Sequence, residues 1–179
     1  LDKRMADRHQ YMLSYTLAKE TNQGPTGAIT DFYHPEYDRG PGSGDRRHSF
    51  VASGSVLFPF DINVGGVWTL RSSMPFSARA GRDLNSDGAT TDYVPGTTRN
   101  QGNRGKNDAF LAAVNAFRTQ NGRAPIQASQ VDTNEYNRFD IRAAKAVVLG
   151  NRRLEFIAQV FNLFGRTNEA HVIIDTEGR

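Results

Sequence analysis

The sequence predicts an all-β fold: antiparallel strands of a transmembrane β-barrel, present in part, with long loops and one short loop helix. Three observations predict it. Apolar residues alternate with a period of two in short bursts, the pattern of strands with one buried or lipid-facing side. The connections between bursts are very unequal, which matches barrels with short turns at one end and long loops at the other. No stretch reaches the apolar length of a membrane-crossing helix. The mean hydropathy of -0.59 still suits strands that face lipid only at alternate residues and carry polar loops.

The elements follow in order. A first strand places Tyr11, Leu13, Tyr15 and Leu17 on one face and Met12, Ser14, Thr16 and Ala18 on the other. A second begins near His48, with Phe50, Ala52, Gly54, Val56 and Phe58 opposite Val51, Ser53, Ser55 and Leu57. Pro59-Phe60-Asp61 is short enough for a hairpin turn, where proline's missing donor costs no ladder bond. A third strand carries Ile62, Val64, Gly66, Trp68 and Leu70 on one side. The fourth spans roughly Arg138 to Leu149, with Phe139, Ile141, Ala143, Val147 and Leu149 sharing a face with Lys145. Gly150-Asn151 turns the chain into a fifth strand, Arg153 to Phe164.

Charges inside apolar strands are costly in lipid, so Asp140, Arg142 and Glu155 are expected on a wet or polar side. Lys145 either snorkels from the apolar face or marks a one-residue register shift. The segments 21–47 and 77–136 are long loops rich in Gly, Asn, Asp, Pro and Arg. Within the second, Ala109, Phe110, Ala113, Val114 and Phe117 recur at helical spacing between Asn107 and Asn121, which predicts a short amphipathic helix. Loops this long bind or cover something in most compact domains. A soluble antiparallel sandwich shows the same alternation and stands as the second architecture.

The totals narrow the function classes. Net charge is +3, from 22 basic and 19 acidic residues, scattered as on a solvated surface. Neither a basic face nor a nucleic-acid module is present, so no nucleic-acid partner is expected. Cysteine is absent, which excludes disulfides and thiolate chemistry. The charged start, Leu1-Asp-Lys-Arg-Met-Ala-Asp-Arg8, is unlike a signal peptide, and the expectation is removed targeting or an internal piece of a longer chain.

The sharpest local motif is Asp83-Leu-Asn-Ser-Asp-Gly88. Oxygen side chains at Asp83, Asn85 and Asp87 with a following glycine match the first half of a calcium loop. The twelfth position is Val94 in place of glutamate, and Asp92 is the candidate late ligand. The alternative is a solvated Asx turn. Calcium is the only cofactor these residues suggest. Asp45-Arg46-Arg47-His48 admits an anion clamp, against ordinary pairing of charges where a loop enters a strand. His9, His34, His48 and His171 show no metal-ligand spacing. No nucleophile elbow, phosphate-cradling glycine run or carboxylate pair is recognisable, so an enzyme is not expected. Tyr11, Tyr15, Phe58, Phe60, Trp68, Phe76, Phe161 and Phe164 are placed for membrane-interface girdles in a barrel, or for the core of a sandwich.

Four stretches carry a resemblance: Tyr11-Met-Leu-Ser-Tyr-Thr-Leu-Ala-Lys19, Asp45-Arg-Arg-His-Ser-Phe-Val-Ala-Ser-Gly54, Gly65-Gly-Val-Trp-Thr-Leu-Arg-Ser-Ser-Met-Pro-Phe76 and Leu154-Glu-Phe-Ile-Ala-Gln-Val-Phe-Asn-Leu-Phe-Gly-Arg-Thr-Asn168. They resemble the C-terminal β-barrel segment of a TonB-dependent outer-membrane receptor, of the Oar-like branch with a carboxypeptidase-regulatory-like domain. Residues 1–179 would be one such segment of about five strands.

The resemblance implies a barrel of about 22 strands around a plug, in the bacterial cell outer membrane, importing an external ligand. Its partners would be the remainder of the barrel and the plug, the TonB complex through regions outside this sequence, and lipid. Since five strands cannot close an even-stranded wall, a fragment is expected. The alternative function is a secreted β-rich binding or adhesion module, with calcium as its candidate stabiliser.

Overall fold

The computed structural model describes residues 1–24, 29–31, 33–102, 107–131 and 135–168. The chain forms β1 (Asp2–Ala6), β2 (His9–Leu17), β3 (Thr21–Gln23), β4 (Arg39–Pro41), β5 (His48–Phe58), β6 (Ile62–Arg71), α1 (Asp108–Gln120), β7 (Tyr136–Leu149) and β8 (Arg152–Val160). These separate into two units. One comprises Leu1–Leu17, Arg47–Ser72 and Glu135–Glu169, and the other includes Ala18–Arg46 and Ser73–Asn134.

The first unit is a six-stranded antiparallel sheet in the order β1-β2-β5-β6-β7-β8. Its register aligns the alternating residues of neighbouring strands. Leu13 faces Ala52, Ala52 faces Trp68, and Trp68 faces Phe139. One face therefore collects the tyrosines and leucines of β2, Phe50, Val56, Ile62, Val64, Leu70, Ile141, Val147, Leu154, Phe156 and Val160. The opposite face carries most of the serines and threonines, and two ion pairs. Arg138 meets Asp140 at 2.8 Å and Arg142 meets Glu155 at 3.6 Å, which puts these charges on the polar side. Lys145 stays on the apolar face without a register shift, between Ile62 and Phe156.

The sheet is not a barrel. Closure requires the first and last strands to pair, and among the described residues β1 pairs only with β2 and β8 only with β7. The expected transmembrane β-barrel is thus corrected to an open, all-antiparallel sheet with two free edges. The strand count changes as well, from five to six in this sheet. Alternation does not reveal β1, because Asp2-Lys3-Arg4 is charged. It joins through a tight turn in which Asp7 and Arg8 both take left-handed backbone, φ 49° and 69°, the geometry that matches the twist of a hairpin. Arg8 then ties this turn to the next one, donating from Nε to the Leu57 carbonyl (2.8 Å) and from Nη2 to the Phe58 carbonyl (2.6 Å).

β8 also stops earlier than the alternation suggests, at Val160. Asn162 takes φ 51°, a conformation asparagine tolerates better than most residues. Its N–H donates to Asp140 Oδ1 at 2.8 Å, and the Leu163 N–H returns to the Phe139 carbonyl at 2.8 Å. The Phe164 ring then stacks on Phe139 at 5.6 Å.

The second unit turns the long connections into a folded body. Its core is Ala78, Ala80, Val94, Phe110, Val114 and Phe117, with Phe76 and Ile126 packed against it. Helix α1 supplies Phe110, Val114 and Phe117 from one face, as the spacing predicts, while Ala109 is exposed. Asn107 caps it, its side chain accepting the Phe110 N–H at 3.1 Å, which satisfies one of the donors left open at a helix start.

Two hydrogen bonds flanking the Arg79–Tyr93 bridge bring the small core residues in: the Ala80 N–H reaches the Asp92 carbonyl at 2.8 Å and the Val94 N–H the Ala78 carbonyl at 3.0 Å. Gly102 is required where it packs under Phe76, because a Cβ there would sit 2.5 Å from the ring. Asn115 closes the body, donating to the Ile126 carbonyl at 2.9 Å and accepting its N–H at 2.8 Å.

Truncating Phe110, which is 3% exposed, leaves a cavity in this core. Phe110→Ala should lower the opening free energy of the α1 amides, read by hydrogen exchange, by about 3–5 kcal/mol. Ala109→Lys on the exposed side should stay within about 0.5 kcal/mol of wild type. Equal effects from the two variants would contradict this packing.

Candidate functional site

The centre of the second unit is a buried carboxylate. Asp38 is 2% exposed and ends a single 3-10 turn, Pro35–Asp38, that leads into β4. Its Oδ2 accepts the Thr30 N–H at 3.0 Å. Its Oδ1 accepts the Thr30 hydroxyl at 2.5 Å and the Tyr93 hydroxyl at 2.9 Å. Burial pushes this carboxyl up. The hydroxyl and amide of Thr30, the Tyr93 hydroxyl and the Arg79 charge together outweigh burial and hold it below its ordinary value. Burial pushes the Tyr93 hydroxyl up, with Thr30 partly offsetting and Asp38 adding to the rise.

Arg99, also 2% exposed, donates from Nη1 to the Asp38 carbonyl at 2.7 Å and to the Gly24 carbonyl. Asn100 reaches the Pro41 carbonyl at 2.7 Å. Gly40 lets the chain pass against Arg99, where a Cβ would come within 2.6 Å of the Arg99 carbonyl oxygen. The Arg79 guanidinium lies 5.0 Å from the Tyr93 ring centroid and donates to the Thr91 carbonyl. These bonds join segments far apart in sequence into one scaffold.

Beside this scaffold is a cavity of about 400 Å³, lined by Asp31, Tyr37, Asn85, Asp92, Tyr93 and Thr97 among others. Asp31 accepts the Tyr33 and His34 N–H groups on Oδ1, at 2.7 and 3.2 Å. Asp92 accepts the Leu84 N–H on Oδ2 at 2.6 Å. Tyr37 stacks on His34 at 5.1 Å. The His34 imidazole is pushed above its ordinary value by its hydrogen bond to Glu36, 2.9 Å away, against a smaller loss from burial.

The four candidate calcium ligands divide in the structure. Asn85 and Asp92 line the cavity, whereas Asp83 and Asp87 do not. Asp83 accepts the Ser86 N–H on Oδ1 at 2.6 Å and the Gly88 N–H on Oδ2 at 2.9 Å. The Gly88 bond chiefly, then Ser86 and its neighbours against a smaller effect of burial, holds the Asp83 carboxyl below its ordinary value. Asn85 accepts the Asp87 N–H at 3.0 Å, and Asp87 the Ala89 N–H at 2.8 Å. The loop is an Asx turn closed by its own backbone. Among the described residues no group of three His, Cys, Asp or Glu converges as a metal site.

The remaining candidates scatter. His48 pairs with Tyr15 across the β2–β5 ladder, Nδ1 to hydroxyl, at 2.8 Å. Asp45 is buried. His9 contacts Lys3 in the first hairpin, and His171 lies outside the described residues. Sequence reasoning does not find Thr30, Asp38, Tyr93 and Arg99, and no spacing signal joins them.

A family model described as an outer membrane beta barrel domain matches residues 1–172. The chain belongs to this outer-membrane β-barrel domain family. Searches of curated proteins and of solved structures return no match.

The match supports the general family and not the TonB-dependent, Oar-like identity. It agrees with a place in a larger outer-membrane β-barrel assembly. The expected function, import through a TonB-dependent transporter barrel, is overturned by the open sheet, because gated passage needs a closed wall around a lumen. The description of its strands as transmembrane strands of a transport receptor falls with it. The cavity lined by Asp31, Tyr37, Asp92 and Tyr93 is a feature of this domain with chemical capacity.

Asp38 gives the cluster a pH dependence of definite sign. Its folded pKa lies below its unfolded one, so its stabilisation is complete above about pH 4 and is lost as pH falls through the folded value. At pH 7, Asp38→Asn should cost about 1–3 kcal/mol and should flatten the acid dependence below about pH 4. Urea titrations of the two proteins across that range check this, and parallel acid limbs would refute it.

Proposed function

We propose that this chain is a β-rich binding module at the bacterial outer membrane, recognising an external ligand through its loop-built unit without covalent chemistry. One observation carries the reading. The long connections fold around their own apolar core and a hydrogen-bonded buried polar cluster, and they frame a cavity of about 400 Å³, within the size range of small-molecule sites. A connection that only bridged strands would need none of this. Backbone N–H groups hold the 83–89 turn.

The sheet serves as the module's anchor. Its free edges at β1 and β8 offer unpaired backbone to further strands of an outer-membrane assembly. Kinship with the Oar-like branch rests on the four sequence stretches alone, as ancestry and not as an import activity.

A fragment-library screen on the intact protein, read by NMR amide shifts, tests the reading. Binders should move the amides of Leu84, Tyr93, Gly96 and Thr97. Shifts confined to β2 and β5–β8 would contradict it.

A further inference from the structure

We propose that Asn121–Gly122 is a site of spontaneous deamidation, gated by the end of helix α1, whose product unfastens that end. It is the one Asn-Gly pair in the sequence. A glycine after asparagine leaves the next backbone nitrogen unshielded by a side chain, so that nitrogen can reach the asparagine Cγ. The same atoms fasten the helix. Asn121 Nδ2 donates to the Phe117 carbonyl at 2.7 Å, the Gly122 N–H to the Thr119 carbonyl at 3.0 Å and the Arg123 N–H to the Arg118 carbonyl at 2.9 Å. With Gly122 at φ 71°, this is a glycine-ended helix stop that satisfies carbonyls left open at a helix end.

The reaction uses only the chain and water. The Gly122 nitrogen gives its proton to hydroxide and bonds to Asn121 Cγ. The Cγ–Nδ2 bond breaks, Nδ2 takes a proton from water, and ammonia leaves a succinimide ring behind. Water then opens the ring at either carbonyl. Breaking the bond from nitrogen to Cγ gives aspartate, and breaking the bond to the backbone carbon gives isoaspartate. Nothing is oxidised or reduced.

The closed helix end holds back each requirement. The attacking nitrogen keeps its proton in the bond to Thr119, and the leaving nitrogen is committed to Phe117. Asn121 lies at φ -99° and ψ 19°, which turns the Gly122 nitrogen away from the Asn121 side chain. Ring closure therefore waits for the last turn to open, and Phe117, buried in the core with Val114, resists that opening. Where reclosing outruns the chemistry, the rate follows the open population. Afterwards the end closes less well. Aspartate sets an acceptor and a negative charge against the Phe117 carbonyl and the negative end of the helix. Isoaspartate lengthens the backbone by one carbon and moves the Gly122 and Arg123 N–H groups off their carbonyls. The step is one-way, so the pair records how often the end of α1 has opened.

Peptide mapping by mass spectrometry, after incubation of the intact protein at mildly alkaline pH, tests this. Trypsin releases Thr119–Arg123, in which aspartate and isoaspartate products are resolved from asparagine. Conversion should be at least about 10-fold slower in the folded protein than in protein unfolded by urea. In graded urea below the unfolding transition, the rate should rise in step with hydrogen exchange at the Gly122 amide. Phe110→Ala should raise the native rate by about 10-fold or more, and Ala109→Lys should leave it unchanged. Asn121→Asp, the product itself, should speed exchange at the Gly122 and Arg123 amides by about 3- to 10-fold.

Absence of conversion at Asn121 in the unfolded protein would overturn the site. Equal rates in folded and unfolded protein, or a native rate that ignores exchange at Gly122, would overturn the gate. Wild-type exchange at Gly122 and Arg123 in Asn121→Asp would overturn the unfastening by the product.

Discussion

The second unit depends on one buried carboxylate. Asp38 gathers the hydroxyl and amide of Thr30 and the hydroxyl of Tyr93, while its own carbonyl takes the Arg99 guanidinium. A buried charge is tolerable only when hydrogen bonds replace its lost hydration. Meeting that requirement forces the segments around residues 30, 38, 93 and 99 together. The cavity is a consequence, because Tyr93 carries its own neighbours, Asp92 and Val94, to the lining, and Thr30 brings Asp31. The apolar core supplies a matching constraint from Ala78, Ala80 and Val94, which are too small to fill space without the α1 side chains beside them.

The sheet obeys a simpler rule. Its alternating residues stack by register into one apolar face, on which Tyr15, Leu17, Leu149 and Phe156 are 61, 59, 58 and 63% exposed. Such a patch exceeds what a protein surface carries without a use, in keeping with membership of an outer-membrane family. The polar face pairs Arg138 with Asp140 and Arg142 with Glu155. The division of labour follows: the sheet organises by period-two patterning, and the loop-built unit organises by a few long-range polar bonds.

That difference explains what was legible in the sequence. Strands β5 and β6 are legible closely because alternation and turn residues agree, with Pro59-Phe60-Asp61 between them. The α1 helix was readable because Phe110, Val114 and Phe117 share a face and Asn107 and Asn121 stand at its ends. β1 was hidden by its charges, and β8 was overextended because Phe161-Asn162-Leu163-Phe164 continues the alternation after the backbone has turned. Closure could not be read at all. Alternation specifies which face a side chain joins, and says nothing of which strands meet at the edges. The Asp38 cluster was silent because its partners lie 8, 55 and 61 residues away, beyond any local pattern. The acidic turn at 83–88 is legible by its spacing, whereas the more buried Asp31 and Asp92 have no such pattern around them.

The central claim is that the long connections form a folded unit with a built site. Hydrogen exchange on the ligand-free protein tests it most directly. The amides of Ala80, Val94, Gly102 and Phe110, bonded to the Asp92, Ala78 and Phe76 carbonyls and to the Asn107 side chain, should be strongly protected. Exchange at unprotected rates there, with the β5–β6 ladder still protected, would mean that these connections are solvated loops and that the site does not exist.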